Sequence, residues 1–151
     1  MRVMQYSSFL SRALAFIIDI ALLSCLHQIL FFLLGSRIVQ LLAIDPMTFF
    51  MVAIPLYIVV FLFSFMLLSM FYFTFFHAWF GQTLGKMIIG IKVVSENNMA
   101  PSAAMAFLRW TGYLLSLLPL AAGFLWSAVD KDHEAWHDKL ALTRVVAVEM
   151  T

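Results

Sequence analysis

The sequence predicts an all-α membrane protein: two full transmembrane helices, a third apolar segment that is kinked or folds back as a re-entrant hairpin, and a short cytoplasmic two-stranded β element. Three observations carry this expectation. Of the 151 residues, 64% are hydrophobic and only 11% charged, with a mean hydropathy of +1.00, whereas an ordinary soluble domain is about a quarter charged. The apolar residues fall into runs long enough to cross a bilayer. Two β-branched, polar-flanked stretches bracket the last of those runs. The membrane segments leave no second core-sized stretch, so residues 1–151 read as a single membrane domain. A net charge of +1 offers no field to draw in nucleic acid.

The first span is Ala13 to Leu34, which at about 1.5 Å per residue crosses a hydrocarbon core of roughly 30 Å. It contains polar Asp19, Ser24, His27 and Gln28. Cys25 lies in the same run, is the single cysteine and reads as a small core residue. The run is too long for a signal-peptide core and lacks a cleavage site, so the N-terminus is expected to be retained. Gly35, Ser36, Arg37 and the Asp45-Pro46 pair break the pattern into a connection. Phe49 to Phe76 carries no charge and spans with length to spare, with Pro55 placed to kink its first turn.

Residues 77–104 read as a loop outside the hydrocarbon, with Ile89 to Val94 as a short strand ended by a Ser-Glu-Asn-Asn turn. The tail, residues 130–151, repeats the signature at Thr143 to Val148. Between them, Met105 to Val129 is apolar apart from Arg109 and is interrupted by Pro119 and Gly123. One kinked spanning helix would put the two strands on opposite sides. A hairpin turning near Pro119 would let them pair and satisfy their backbone groups, and is favoured for that reason. Arg2 and Arg12 precede the first span, Lys86, Lys92 and Arg109 follow the second, and Arg37 alone lies between. This distribution predicts a cytoplasmic N-terminus and central loop, in a multi-pass protein of the cell (inner) membrane.

Asp19 is the costliest residue, because a carboxylate at that depth carries a penalty of about 2.5 to 3.5 kcal/mol. It is either a polar staple between segments or a proton or cation site. Arg12, seven positions earlier, stands about 10 Å away along the axis, so each needs a partner on another segment, with Arg109 or Lys86 the candidates for Asp19. His27 extends the same face or is a satisfied interior histidine. His133-Glu134-Ala135-Trp136-His137 matches H-E-x-x-H, the helix-borne zinc motif. Beyond the adjacent Asp138, only Glu149 remains downstream as an acidic third ligand, and His77 upstream has no motif around it, so a membrane zinc hydrolase is a remote alternative. No metal, cofactor or catalytic residue is expected. Gly81-Gln82-Thr83-Leu84-Gly85-Lys86 is one residue short of a phosphate loop and is followed by Met87, so it reads as a tight interfacial turn. Gly85 and Gly90 would allow close backbone approach there, and Lys86 would meet lipid phosphates or an acidic side chain.

Taken in order, Arg12 to Asp19, Gly81 to Lys86 leading into Gly90 to Val94, Arg109, and His137-Asp138-Lys139 before Thr143 to Val146 resemble the RDD family of membrane proteins over nearly the whole chain. The resemblance implies that the arginine and two aspartates of the family name fall on Arg12, Asp19 and Asp138, with Asp130 a weaker claimant. It also implies that His137 belongs to a His-Asp pair and not to a zinc motif. Leu142 stands where the family usually has glycine. The family is suspected of transport, including cation/proton antiport. The resemblance therefore implies a cation or small-solute transporter with Asp19 as exchange group, working as a homo-oligomer or with another membrane protein. A non-catalytic accessory or scaffold protein that docks a partner is the other expectation. All three readings, the zinc hydrolase included, predict that Arg12, Asp19, Lys86, Arg109 and Asp138 gather near the cytoplasmic interface.

Overall fold

The computed structural model describes residues 6–42, 45–131 and 133–148, without the side chains of residue 34 and residues 36–42. Arg2, Asp132, Glu149 and the side chain of Arg37 therefore lie outside the described part. The chain is mostly helical. Helix α1 runs Phe9–Leu42. A second continuous helical stretch comprises α2 (Pro46–Thr48), a π-helical turn (Phe49–Ala53) and α3 (Ile54–Phe80). There follow α4 (Leu84–Ile89), β1 (Ile91–Ser95), α5 (Ala103–Leu117), α6 (Ala122–Leu125), a 3-10 turn (Trp126–Ala128), α7 (Trp136–Leu140) and β2 (Thr143–Ala147). Two helical stretches, Phe9–Leu33 and Pro46–Phe80, are long and apolar enough to cross a membrane.

Packing divides the chain into two units. In the unit Ile20–Ser69, His27 Nε2 lies 2.8 Å from Ser64 Oγ, inside a nest of Phe31, Phe61 and Phe65 rings. His27 is thus an interior histidine engaged through Nε2, while its buried Nδ1 has no hydrogen-bond partner among the described residues. The expected break at Gly35, Ser36 and Arg37 does not occur, since α1 continues to Leu42. One helical glycine costs only about 1 kcal/mol, which the flanking aliphatic residues outweigh. The turn comes at Asp45, whose carboxylate accepts from the Thr48 backbone N–H at 3.0 Å and its hydroxyl at 2.7 Å, with Pro46 opening the helix. Pro55 causes no break: the helix passes it directly after a π-helical turn closed from Ile54 N–H to Phe49 O.

The other unit comprises the chain up to Asp19 and from Met70 onward. Here the boundaries of residues 77–104 need correction. Helix α3 extends to Phe80, and Leu84–Ile89 is a helix, capped by the Thr83 side chain at its start and by Gly90, at φ +76°, at its end. Ile89 therefore ends a helix, and the strand begins at Ile91. The two strands pair antiparallel from Ile91↔Ala147 to Ser95↔Thr143. Their alternate residues Ile91, Val93 and Val145 pack with Ala15 as a small buried core. Residues 103–128 are a bent pair: Ala103–Leu117 and Ala122–Ala128 meet at 111°, with Leu120 and Ala121 at positive φ just after Pro119. Gly123 lets the second arm close onto the first, because a Cβ there would stand 2.7 Å from Ser116.

Candidate functional site

Two buried carboxylates, two buried cations and the part-buried Arg12 organise the second unit, and the two acids are satisfied in different ways. Asp19, 0% exposed, receives Tyr72 O–H on Oδ1 at 2.7 Å, Gly85 N–H on the same oxygen at 2.7 Å, and Thr83 O–H on Oδ2 at 2.5 Å. Tyr72 reaches it from the last turns of α3, and the other two donors come from the first turn of α4. That approach requires glycine: a Cβ on Gly85 would collide with the Ala15 carbonyl oxygen and stand 2.9 Å from the Asp19 carboxyl. The Gly-Gln-Thr-Leu-Gly-Lys segment is thus a carboxylate cradle. The expected partners were cations, yet no ion pair to Asp19 occurs among the described residues. Hydroxyl and amide donors replace them, each able to stabilise a buried anion without burying a second charge.

Asp138 has the cationic partners. Its Oδ1 pairs with Arg109 Nη1, while its Oδ2 lies 2.8 Å from Arg12 Nη1 and accepts Ala135 N–H at 3.0 Å, capping α7. Arg109, 1% exposed, also donates to Thr143 Oγ1 at 2.5 Å and to Tyr113 O–H at 3.2 Å. Arg12 donates to Ser7 Oγ at 2.8 Å and to the Val145 carbonyl at 3.2 Å. Asp138 therefore ties the start of α1, α5, α7 and β2 into one network. Burial alone would raise its carboxyl pKa, but Arg109, the neighbouring His137 and Arg12 pull it down to about 2.

Lys86 does not reach outward to lipid phosphates, as its position in a glycine turn suggested. It is 5% exposed, and its Nζ lies 3.1 Å from His77 Nε2. His77 Nδ1 faces the Phe73 carbonyl at 2.7 Å. A carbonyl can only accept, so Nδ1 carries the proton and Nε2 accepts from Lys86. Burial lowers the Lys86 pKa. His137 is also buried: Nδ1 lies 3.4 Å from Ser116 Oγ, its ring edge meets Tyr113, and Gly112 leaves room for its backbone. Burial, with Arg109, Lys86 and Arg12 nearby, lowers its pKa to about 3 against the opposing pull of Asp138.

The zinc pentad is not built as a metal motif. His133 lies at φ +54°, ahead of a helix that begins only at Trp136, so His133 and His137 do not share a helix face. His133 Nδ1 turns to the Ser127 carbonyl instead, at 3.3 Å. Of the turn glycines, Gly90 serves a helix cap and has nothing near its missing Cβ, so it does not permit a close approach. Sequence reasoning missed Tyr72, Tyr113, Ser116 and Thr143 as members of the network. Thr83 sat inside the singled-out glycine segment, but the others lie in runs where nothing distinguishes a buried hydroxyl.

Two long apolar helices, a bent helix pair and a small sheet joined by arginines and buried aspartates define the class: a small helical chain of membrane type. A family model described as "RDD family" matches residues 6–142, and the chain belongs to that family, whose members are membrane proteins. The matched region holds Arg12, Asp19 and Asp138, the three positions the resemblance singled out. Comparison with curated proteins and with solved structures gave no match.

Proposed function

We propose that the chain is an integral protein of the cell membrane that works without catalysis, as an accessory module. The buried polar network fixes a platform of α4, α7 and the sheet for a partner membrane protein or a second copy of the chain. The exposed apolar side chains of α3, such as Val59, Leu62 and Phe71, would face lipid. The basic residues Arg12, Lys86, Lys92 and Arg109 favour a cytoplasmic N-terminus and platform. Reporter fusions after residues 40 and 95 test this placement, and a cytoplasmic signal at residue 40 would overturn it.

The observation that carries the reading is the saturation of Asp19. A cation- or proton-exchange group must be reached by water and must gain and lose its ligand cheaply. Asp19 is closed from solvent and holds three protein donors, which supports a locking role. Ion flux into proteoliposomes separates it from transport. Wild-type protein is expected to pass no more cation or proton than empty vesicles. Flux that Asp19→Asn abolishes and Tyr72→Phe retains would replace the proposal with exchange at Asp19. Crosslinking in mild detergent is expected to trap a dimer or a complex with a second membrane protein, and a stable lone monomer would count against docking.

A further inference from the structure

A cavity of about 240 Å³ opens among the first turns of α1, the bent pair and α7, entirely within one packing unit. It is on the small side for a ligand pocket, which typically holds roughly 300 to 1,000 Å³, and suits a chain end better than a whole cofactor. Its walls are mainly apolar, with Phe9, Phe16, Ile17 and Leu117 among them, yet Arg12, Lys86, Arg109 and His137 also line it and no acidic side chain does. Three formal cations stand here with the carboxylates Asp19 and Asp138 among them, and Glu134 also attracts Arg12. Asp138 is shared by both arginines, and Asp19 is bound by neutral donors. Lys86 makes no ion pair among the described residues: its ammonium has one acceptor, His77 Nε2, leaving donor capacity beside the cavity. Asp19 and Asp138 attract Lys86 without touching it; a buried cation with no anion in direct contact is costly, and a ligand that brings one would relieve that cost.

We infer that this cavity binds one acyl-chain amphiphile with a single anionic headgroup, a carboxylate or phosphate held by Lys86 with help from Arg12 and Arg109, its chain lying along Phe9, Phe16 and Leu117. Such a ligand matches both features of the cavity, which neither a neutral lipid nor a small free anion does. At the start of α1 the headgroup would sit where a span leaves the hydrocarbon, the depth at which basic pockets meet lipid headgroups. The inference rests on the membrane placement proposed above but not on docking, and the test below is run in detergent without a partner.

The test is native mass spectrometry of the purified, delipidated full chain in neutral detergent, titrated separately with laurate, dodecyl phosphate, dodecanol, acetate and inorganic phosphate. One saturable adduct per chain is expected with laurate or dodecyl phosphate, and none with dodecanol. Excess acetate or inorganic phosphate should not displace it. Lys86→Met should weaken binding about tenfold or more, the loss expected for one charge-assisted hydrogen bond. Leu117→Trp, at a position 62% exposed, should block the chain site while leaving the cations in place, and keeps the question open to test if Lys86→Met fails to fold. Equal binding of dodecanol would overturn the role of charge. Displacement by acetate or inorganic phosphate would reduce the site to one for a small anion. Absence of any saturable adduct would overturn the inference, even if crosslinking finds a docked partner.

Discussion

Replacing Asp138 by asparagine keeps the size of the side chain and removes the one charge that buried Arg109 and part-buried Arg12 share. Both Oδ atoms are engaged: Arg109 on one, Arg12 and the Ala135 amide on the other. An asparagine oxygen can still cap Ala135, but its NH₂ would then face the N–H groups of Arg109, which is 1% exposed. Two bounds fix the magnitude. Asp138 titrates at about 2 in the fold against an ordinary 3.8, so neutralising it forfeits about 2 kcal/mol. Breaking a buried pair by removing one partner costs about 3 to 5 kcal/mol. The expected loss is therefore about 2 to 5 kcal/mol, or roughly 5 to 15 °C in unfolding midpoint for a chain of this length. The assay is thermal unfolding of purified protein in mild detergent, followed by the near-ultraviolet signal of the buried aromatic residues. A depressed carboxyl stabilises the fold above its unfolded pKa and loses that contribution as pH falls. The Asp138 share should therefore vanish between about pH 4 and pH 2 in the wild type and be absent in the variant. A midpoint within about 2 °C of wild type at neutral pH would refute the reasoning. So would an unchanged acid limb in Asp138→Asn.

Three further outcomes follow from the same geometry. Gly85→Ala forces a methyl group against the Ala15 carbonyl and the Asp19 carboxyl, and should cost about 3 kcal/mol, the upper end for overpacking because a backbone oxygen must move. Gly90→Ala meets no atoms but must hold φ +76°, costing about 1 kcal/mol, so equal midpoints for the two variants would contradict the cradle. His137 is held neutral down to about pH 3 in the fold but protonates near 6.5 when unfolded. Its contribution is full above pH 6.5 and should decline by about 1.4 kcal/mol per pH unit as pH falls towards 3, and a flat midpoint between pH 6.5 and 4.5 would refute this. Leu142 is 60% exposed and sits at φ +50°, where a side chain costs about 1 to 2 kcal/mol. Leu142→Gly should therefore raise the midpoint by a few degrees, whereas Leu142→Ala should not.

What was legible in the sequence was whatever repeats or costs energy. Charge-free runs announced the long helices, and the β-branched stretches on either side of Arg109 anticipated strands that could pair only if the segment between them folded back. Leu142 stood out as a departure from the family pattern, and the structure places it in the left-handed region that glycine prefers. Signals that compete locally were misread. Gly35, Ser36 and Arg37 looked like a connection because small and charged residues punctuate chains, yet nothing ends α1 until after Leu42. Lys86 looked like an interface anchor because lysines in glycine turns usually are. Its burial depends on the end of α3 bringing His77 to it, which no pattern in residues 81–90 encodes. The same is true of Tyr72, whose hydroxyl is invisible within an uncharged aromatic run until its distance to Asp19 is known.

The contrast between the two aspartates narrows what the network can do. A carboxyl group held by neutral donors, as Asp19 is, takes up no cation of the cluster. A carboxylate held by two arginines, as Asp138 is, neutralises one of them. Had Asp19 paired with Lys86 or Arg109, as its spacing from Arg12 suggested, the cations and acids would sit in contact and the cavity beside them would face satisfied ion pairs. Instead Tyr72, Thr83 and Gly85 take Asp19 out of contact with the cations, and Lys86 is left with a neutral histidine. The carboxylate that seemed the best candidate for exchange is thus fully enclosed, as Asp138 is. Chemical opportunity lies across α4, at the lysine, where a donor meets an apolar opening and no carboxylate. Cation exchange would need that arrangement reversed, with an open acid and a closed base, so the same contacts that favour a fixed platform also favour an anionic guest over a cationic one.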